Sequence, residues 1–377
     1  MRMHEYIVRR LILMVFVLFA ISLIVFYLLR GSVGSEIAMA PYIVPKMNDA
    51  AKLQLAISLG VATPSCPSWG ALISHAPGCL VPIWRQYLAW LQNVLAGNWG
   101  YTLLPGISGG TTFTWTVFSS RFPYTAELAV AGAIATIGVA LPLGIVSGTR
   151  ENKVPDHVSR IIALVGYSMP VFWLAFLLQL LFGVYFSVQE GAFSLGLLPT
   201  NGAISTMCGL CFSNPGTVTA YTGAPLLDAA FSGNLAYFWD SFVALILPTI
   251  ALSFSTLGAL TRIVRSSMIE VMRQDYILLA RSKGLKDRIV VYRHAFRNAL
   301  LPAITISGLI LAFLFGGVIP VEYIFSWPGI GQALLSATYV FDANFLELYI
   351  LVTALILVVT NLAADIFYAI LDPRIRY

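Results

Sequence analysis

Residues 11–29 read Leu-Ile-Leu-Met-Val-Phe-Val-Leu-Phe-Ala-Ile-Ser-Leu-Ile-Val-Phe-Tyr-Leu-Leu, an apolar run that only Ser22 interrupts. A helix of about 20 residues rises far enough to cross a hydrocarbon core of roughly 30 Å. Arg9 and Arg10 precede the run and Ala38-Met39-Ala40 follows it, as in a secretory signal peptide. Because the apolar core of such a peptide has only about 7–15 residues, the run predicts a retained membrane-spanning helix.

The composition of the whole chain also indicates a lipid environment. Of the 377 residues, 58 % are hydrophobic and only 10 % are charged, whereas a soluble domain carries roughly a quarter charged residues. The mean hydropathy is +0.83. The stretches that are long and apolar enough to span a membrane lie near 8–29, 125–147, 161–186, 242–263, 301–320 and 347–370. We therefore predict an all-α integral membrane protein, with residues 1–377 forming a single transmembrane domain of six helices.

The lysines and arginines predict how these helices are oriented. If the N-terminus lies in the cytoplasm, few of the 22 cations fall in outer segments, namely Arg30, Lys46, Lys52, Arg85 and Arg121. This asymmetry follows the positive-inside rule, and six spans return the C-terminus to the cytoplasm. The formal charge of +5 is then explained by cytoplasmic loops beside a lipid bilayer, so it does not indicate a nucleic-acid partner.

Two long loops, 31–121 and 188–240, lie outside in this topology and are rich in Gly, Pro, Ser and Thr. The first contains an amphipathic helical pattern at Ile83, Tyr87, Trp90, Leu91 and Val94. Such a helix is expected to lie on the membrane or pack on the rim of the bundle. A surface that guides substrate is the alternative.

All four cysteines fall in these outer loops. Cys66 and Cys79 lie in the first loop, and Cys208 and Cys211 form a Cys-x-x-Cys in the second. An even number of cysteines in an oxidising space favours disulfides, with the pairing left open. The alternative is a metal site, because Cys-x-x-Cys is half of a zinc motif.

The cytoplasmic loop 264–300 combines many cations with apolar residues at helical spacing. One apolar stripe consists of Met272, Tyr276 and Leu279, and a second consists of Leu285, Ile289, Tyr292 and Phe296. Gly284 separates the stripes, as a residue with positive φ would. The pattern predicts two short amphipathic helices meeting at a corner, with Pro302 at the start of the fifth span. A solvated basic loop beside anionic lipid is the alternative, although it has no need for apolar stripes.

Several segments together resemble permease subunits of ABC importers, in particular the dipeptide/oligopeptide branch. The segments are Arg121-Phe122-Pro123-Tyr124-Thr125-Ala126-Glu127-Leu128, Leu247-Pro248-Thr249, Ala280-Arg281-Ser282-Lys283-Gly284-Leu285, Asn298-Ala299-Leu300-Leu301-Pro302, Val321-Glu322-Tyr323-Ile324-Phe325-Ser326-Trp327-Pro328-Gly329 and Leu371-Asp372-Pro373-Arg374-Ile375-Arg376-Tyr377. The resemblance implies the type I importer permease fold. It covers the first span and most of 121–186 and 242–377.

In that family the basic loop docks on an ATPase subunit and couples ATP binding to helix movement. The resemblance therefore implies coupling roles for Asp275, Tyr276, Ala280, Arg281, Lys283, Gly284, Leu285, His294, Asn298 and Pro302. It also implies a second permease, two cytoplasmic ATP-binding subunits and an outer solute-binding protein, in a prokaryotic plasma membrane. ATP and magnesium would bind those partners, and this chain would bind no cofactor. Peptides or oligosaccharides are the expected substrates.

Other chemistries find less support in the sequence. A phosphate-binding loop needs Gly-Lys-Ser/Thr, and no lysine here follows Gly or precedes Ser or Thr. Gly106-Ile107-Ser108-Gly109-Gly110 matches a serine-hydrolase pattern, but no histidine lies in a span to act as the base. An ion-coupled secondary transporter would use buried carboxylates. Glu127 and Asp365 are the candidates, and both lie near span ends, where helix anchoring is the simpler interpretation.

Overall fold

The computed structural model describes residues 3–31, 37–43, 46–104, 112–185, 198–204, 216 and 218–371. Within these ranges the chain is mainly helical, with one short β-hairpin. The chain divides into two units, of which the first contains Met1–Tyr6, Pro123–Gln332 and Ile356–Tyr377 and the second contains Ile7–Phe122 and Ala333–Leu355. Four of the described helices continue from one unit into the other: α1 (Met3–Phe26), α5 (Thr114–Thr149), α13 (Ile330–Tyr339) and α14 (Ala343–Leu371).

The second unit contains the first predicted outer loop. Its elements are α2 (Asp49–Ser58), α3 (Trp69–Ile73), α4 (Ile83–Leu95), and the strands β1 (Tyr101–Thr102) and β2 (Thr112–Phe113), which pair antiparallel. The α4 helix matches the predicted amphipathic pattern, and its Tyr87 and Trp90 pack against Phe26 of α1. A disulfide joins Cys66 to Cys79. Cys208 and Cys211 lie outside the described residues.

The first unit contains the helices around the predicted cytoplasmic loop. They are α6 (Val154–Ser168), α7 (Val171–Leu180), α8 (Pro225–Ser232), α9 (Leu235–Met272), α10 (Asp275–Ser282), α11 (Asp287–Ile289), α12 (Phe296–Ile324) and the first turn of α13. The α6 and α9 helices approach closely because both present glycine. A Cβ atom on Gly258 would lie 2.3 Å from the Ala163 carbonyl oxygen, and one on Gly166 would lie 2.5 Å from that of Phe254.

Among the residues that the structure describes, five helices are long and apolar enough to cross a membrane: Val8–Gly31, Thr114–Thr149, Leu235–Met272, Asp287–Phe315 and Ala343–Ala363. The third predicted span, 161–186, is not one straight helix. It consists of α6 and α7, which are bent by 100° and give a sixth span if counted together. Met169 is extended (φ −89°, ψ 121°), because the ring of Pro170 disfavours helical backbone in the residue before it.

Two further expectations about the 264–300 loop are wrong. The fourth-span helix α9 continues to Met272, and α11 runs through a π-helical segment, Val290–Ala295, into α12. The loop is therefore confined to residues near 273–286, and Met272 does not share a helix with Tyr276. Pro302 lies inside α12 rather than at its start, where it cannot donate to the carbonyl of Asn298. Membrane helices tolerate such prolines.

Candidate functional site

The turn after α10 has the geometry that the sequence predicted for Gly284. Its φ is +73°, in the left-handed region that glycine occupies at little cost. The Gly284 N–H donates to the Arg281 carbonyl (2.9 Å) and the Leu285 N–H to the Ala280 carbonyl (3.4 Å). This pair of bonds is a Schellman motif, which ends the helix and satisfies its last carbonyls. The predicted glycine corner is thus confirmed.

The α10 helix presents two different faces. Ile277 and Ala280 are buried and belong to the core of the first unit. Tyr276, Leu278 and Leu279 are exposed, and Leu278 retains 67 % of its accessible surface. Ala280, which the resemblance placed among the coupling residues, therefore packs on the chain's own core. Its burial anchors α10, while the other face remains open.

The chain after the turn continues the exposed apolar area. Leu285, Ile289 and Tyr292 are exposed, whereas Val290 and Ala295 are buried against the first unit. We call the exposed apolar residues on both sides of the turn the Gly284 surface: Tyr276, Leu278, Leu279, Leu285, Ile289 and Tyr292. Only Leu278 was absent from the predicted stripes, because those stripes followed single lines of helical spacing rather than the whole open face of α10.

Charged residues surround the Gly284 surface. The side chains of Lys283, Lys286, Arg288 and Arg293 are exposed. Arg281 approaches Asp287 across the turn at 3.9 Å, with both side chains about half exposed or more. An exposed pair at this distance contributes little to stability. The excess of cations can instead orient a partner that carries acidic groups.

A side-chain bridge connects α10 to the helix that follows it. Asn298 Nδ2 donates to Tyr276 Oη (2.8 Å) and also to the carbonyl of His294 (3.3 Å). The bridge joins three of the residues that the resemblance implied, across the turn at Gly284. Asp275 and Pro302 are exposed, and His294 is half-buried.

The comparisons with known proteins show the family to which this chain belongs. Residues 140–377 match the family described as "Binding-protein-dependent transport system inner membrane component". This chain belongs to that family. The permease is 36 % identical over 296 residues to the dipeptide transport system permease protein DppB of Escherichia coli, covering 78 % of this chain and 82 % of the relative. It is 34 % identical over 311 residues to the di/tripeptide transport system permease protein DppB of Pseudomonas aeruginosa, covering 82 % and 86 %.

A third relative matches the permease over its full length. The oligopeptide transport system permease protein AppB of Bacillus subtilis is 29 % identical over 375 residues, covering 100 % of both chains. Together with the apolar helices, these matches show an integral membrane protein with the type I permease fold.

A buried ion pair that the sequence analysis missed supports the end of α9. Asp156 accepts hydrogen bonds from Arg265 Nε (2.7 Å) and Nη2 (3.0 Å), from Ser147 Oγ (2.5 Å) and from the Asn152 N–H (2.9 Å). The carboxylate is fully buried, and these donors compensate its desolvation. Asp156 and Arg265 are 109 residues apart, so no local pattern could have paired them.

Glu322 is a second buried group whose role the sequence did not reveal. It is fully buried and accepts hydrogen bonds from Thr125 Oγ1 (2.6 Å), the Gly331 N–H (2.7 Å) and the Gln332 N–H (3.0 Å). The two amides belong to the first turn of α13, where a carboxylate is favourable. Gly329 leaves room for the carboxylate, because a Cβ there would lie 2.2 Å from Glu322 Oε1.

The residues proposed for other chemistries do not form a site in the described part of the chain. Glu127 Oε1 accepts from the Leu226 N–H (2.8 Å), which anchors the start of α8. The side chain of Asp365, the motif around Ser108, and Cys208 with Cys211 lie outside the description. Among the described residues there is no group of three or more His, Cys, Asp or Glu side chains that could hold a metal ion.

Proposed function

We propose that this permease forms half of a translocation path for peptides and is driven by a separate ATPase that docks on the Gly284 surface. The observation that carries the proposal is the apolar area on α10 and the following helix, which is open and surrounded by cations. A solvated loop gains nothing from exposing Leu278, Leu279 and Tyr292 together. An apolar centre with a polar rim is the arrangement of a protein–protein interface.

The structure beneath this surface is suited to transmitting a movement. Ile277 and Ala280 anchor α10 in the core, the Schellman motif fixes the turn, and the Tyr276–Asn298 hydrogen bond connects α10 to α12. A partner that moves α10 would therefore also move α9 and α12, which continue into the candidate spans. Closure of two ATPase subunits around ATP would act on the permease in this way, as a rigid-body displacement.

The proposed assembly follows from the family. The permease would pair with a second permease in a prokaryotic plasma membrane, with two ATP-binding subunits in the cytoplasm and a solute-binding protein outside. Both termini would be cytoplasmic, as the lysines and arginines indicate. The three relatives are named for dipeptide, di/tripeptide and oligopeptide transport. These names support peptides as the substrate and give no support to the oligosaccharide alternative.

A pair of matched substitutions tests the docking surface. Leu278→Asp places a charge in the centre of the interface and removes an apolar contact worth about 1.5–3 kcal/mol, so ATPase affinity should fall by roughly 10- to 150-fold. Leu235→Asp is the control, since Leu235 is also an exposed leucine on a helix but lies at the first residue of α9. ATPase subunits should co-purify with the Leu235 variant and be lost from the Leu278 variant.

Equal co-purification of the ATPase with both variants would contradict docking at this surface. A second assay addresses the energy source: peptide uptake into cells is measured with a proton uncoupler while ATP is maintained. The ATP-driven importer should continue to transport, whereas a secondary transporter would stop.

A further inference from the structure

A cationic cavity lies between α6 and α9, and none of its lining residues belongs to the Gly284 surface. Its volume is about 340 Å³, and three arginines line it: Arg160, Arg262 and Arg265. The side chains of Ser147, Ser159 and Thr261 contribute hydroxyl groups to the same wall. Guanidinium and hydroxyl groups are the donors that proteins use to bind phosphate oxygens.

The arginines carry more charge than their neighbour neutralises. Arg265 is held bidentately by Asp156, and Arg160 Nε lies 3.8 Å from the same carboxylate. Arg262 stacks over the ring of Tyr167 at 5.2 Å, a contact that leaves its donors available. Asp156 is thus shared by two of the three guanidinium groups and carries one negative charge, which leaves the cavity with an excess of positive charge.

The floor of the cavity contains a hydroxyl group that needs a partner. Thr261 is 2 % exposed, and its Oγ1 makes no hydrogen bond within the described part of the chain. Buried hydroxyl groups in native proteins are generally hydrogen-bonded to protein, water or ligand. A ligand oxygen or a water that it holds would complete this site.

An apolar groove continues from the cationic cavity. It follows the 100° bend between α6 and α7, has a volume of about 370 Å³ and is lined by Leu164, Val165, Ser168, Met169, Pro170 and Trp173. Leu164 lines both spaces, so they are adjacent. Leu164 and Trp173 are each about half exposed, which makes the groove accessible from outside the helices.

We propose that this permease binds an anionic phospholipid here, with the phosphate in the arginine cavity and an acyl chain in the bend groove. The two spaces match the two parts of such a lipid: the arginines and the hydroxyls match the headgroup, and the apolar wall matches the chain. A free phosphate or a peptide carboxylate would use only the cavity. The proposal rests on the proposed orientation, which places these arginines at the inner leaflet.

Fluorescence quenching of Trp173 in reconstituted full-length permease tests the proposal. One set of nanodiscs contains phosphatidylglycerol with brominated acyl chains, and the other contains phosphatidylcholine with brominated acyl chains. The fluorescence of the Trp173→Phe variant is subtracted to remove the signal of the other tryptophans. Brominated phosphatidylglycerol should quench Trp173 at a several-fold lower mole fraction than brominated phosphatidylcholine. Replacing Arg160 and Arg262 with Gln removes about 1 kcal/mol of attraction to anionic lipid per cation, about fivefold each, and should therefore abolish this preference.

Two control variants separate the possible outcomes. Lys153→Gln removes a cation near the start of α6 that does not line the cavity and should leave quenching unchanged. Arg262→Lys keeps the charge and should retain most of the preference, which separates binding from misfolding. Quenching by both lipids alike, or a preference that the double Gln variant retains, would overturn the proposal.

Competition identifies the source of the bound anion. Inorganic phosphate or a dipeptide at millimolar concentration should not displace the brominated lipid, and displacement by either would contradict a lipid site. Labelling of a Lys153→Cys variant from the cytoplasm tests the orientation separately. Labelling from the outside only would refute the proposed orientation, while the quenching result would still report on lipid binding.

Discussion

Replacing Gly284 with alanine is expected to loosen the turn at the Gly284 surface by a predictable amount. No atom lies within 4 Å of the position that a Cβ would occupy, so the substitution introduces no clash. The penalty comes only from holding an L-residue at φ +73°, about 1 kcal/mol. At 25 °C this corresponds to roughly a fivefold smaller population of the intact turn relative to alternative conformations.

The coupling between ATP hydrolysis and transport should therefore depend on which side chain stands at position 284. Asparagine tolerates positive φ better than alanine, and proline can neither adopt it nor donate to the Arg281 carbonyl. The assay is the amount of peptide taken up per ATP hydrolysed by the complete importer in proteoliposomes. This ratio should decrease in the order Gly, Asn, Ala, Pro at position 284, with membrane insertion unchanged.

Gly233 provides a matched control within the same unit. It also follows a helix, has φ +70° and has no atom within 4 Å of its Cβ position, but it lies in the predicted outer loop. Gly233→Ala should carry a similar local penalty and leave the coupling ratio unchanged. If the Gly284 variants, including Gly284→Pro, take up as much peptide per ATP as the unsubstituted chain, the turn at Gly284 has no part in coupling.

Three further predictions concern contacts in the two units. Tyr276→Phe and Asn298→Ala should each reduce the amount of peptide taken up per ATP. A double-mutant cycle on the free energy of unfolding should give about 0.5–1.5 kcal/mol for their hydrogen bond. Additive changes in the free energy of unfolding would contradict the bridge. Replacing Cys66 and Cys79 with Ser should lower the free energy of unfolding of their segment by about 3 kcal/mol. The resistance of this segment to protease, with and without reductant, measures the effect. Equal protease resistance with and without the disulfide would contradict the prediction. Glu322→Ala leaves the amides of α13 unpaired and should destabilise the first unit by about 1–3 kcal/mol. Glu322→Gln should destabilise it by less, and thermal unfolding in detergent measures both. Melting temperatures equal to that of the unsubstituted chain would contradict the hydrogen bonds of Glu322.

The sequence was sufficient to predict the apolar spans and the glycine corner, because both depend on local properties. High hydropathy over about 20 residues predicts the part of a helix that crosses the hydrocarbon core. A glycine between two helical patterns predicts a turn with positive φ, a conformation that other residues adopt at a cost. Hydropathy does not report where a helix ends in water, so the extensions of α9 to Met272 and of α12 back towards Asp287 were missed.

The sequence alone could not predict contacts between segments that are far apart in the chain. The Asp156–Arg265 pair and the Thr125–Glu322 hydrogen bond join residues 109 and 197 positions apart, and nothing local specifies them. The inward orientation of Ala280 depends on how α10 packs on the core. The bend at Pro170 had a local signal, but membrane helices often accommodate proline without a break, so the signal was ambiguous.

Photocrosslinking in the assembled importer shows whether an ATP-binding subunit docks on the Gly284 surface. A photoreactive residue is placed at Leu278, which is exposed, or at Ala280, which is buried two residues further along the same helix. If the subunit docks there, the probe at Leu278 captures the ATP-binding subunit and the probe at Ala280 captures mainly this chain. Capture of lipid alone from Leu278, with no ATP-binding subunit, would contradict docking.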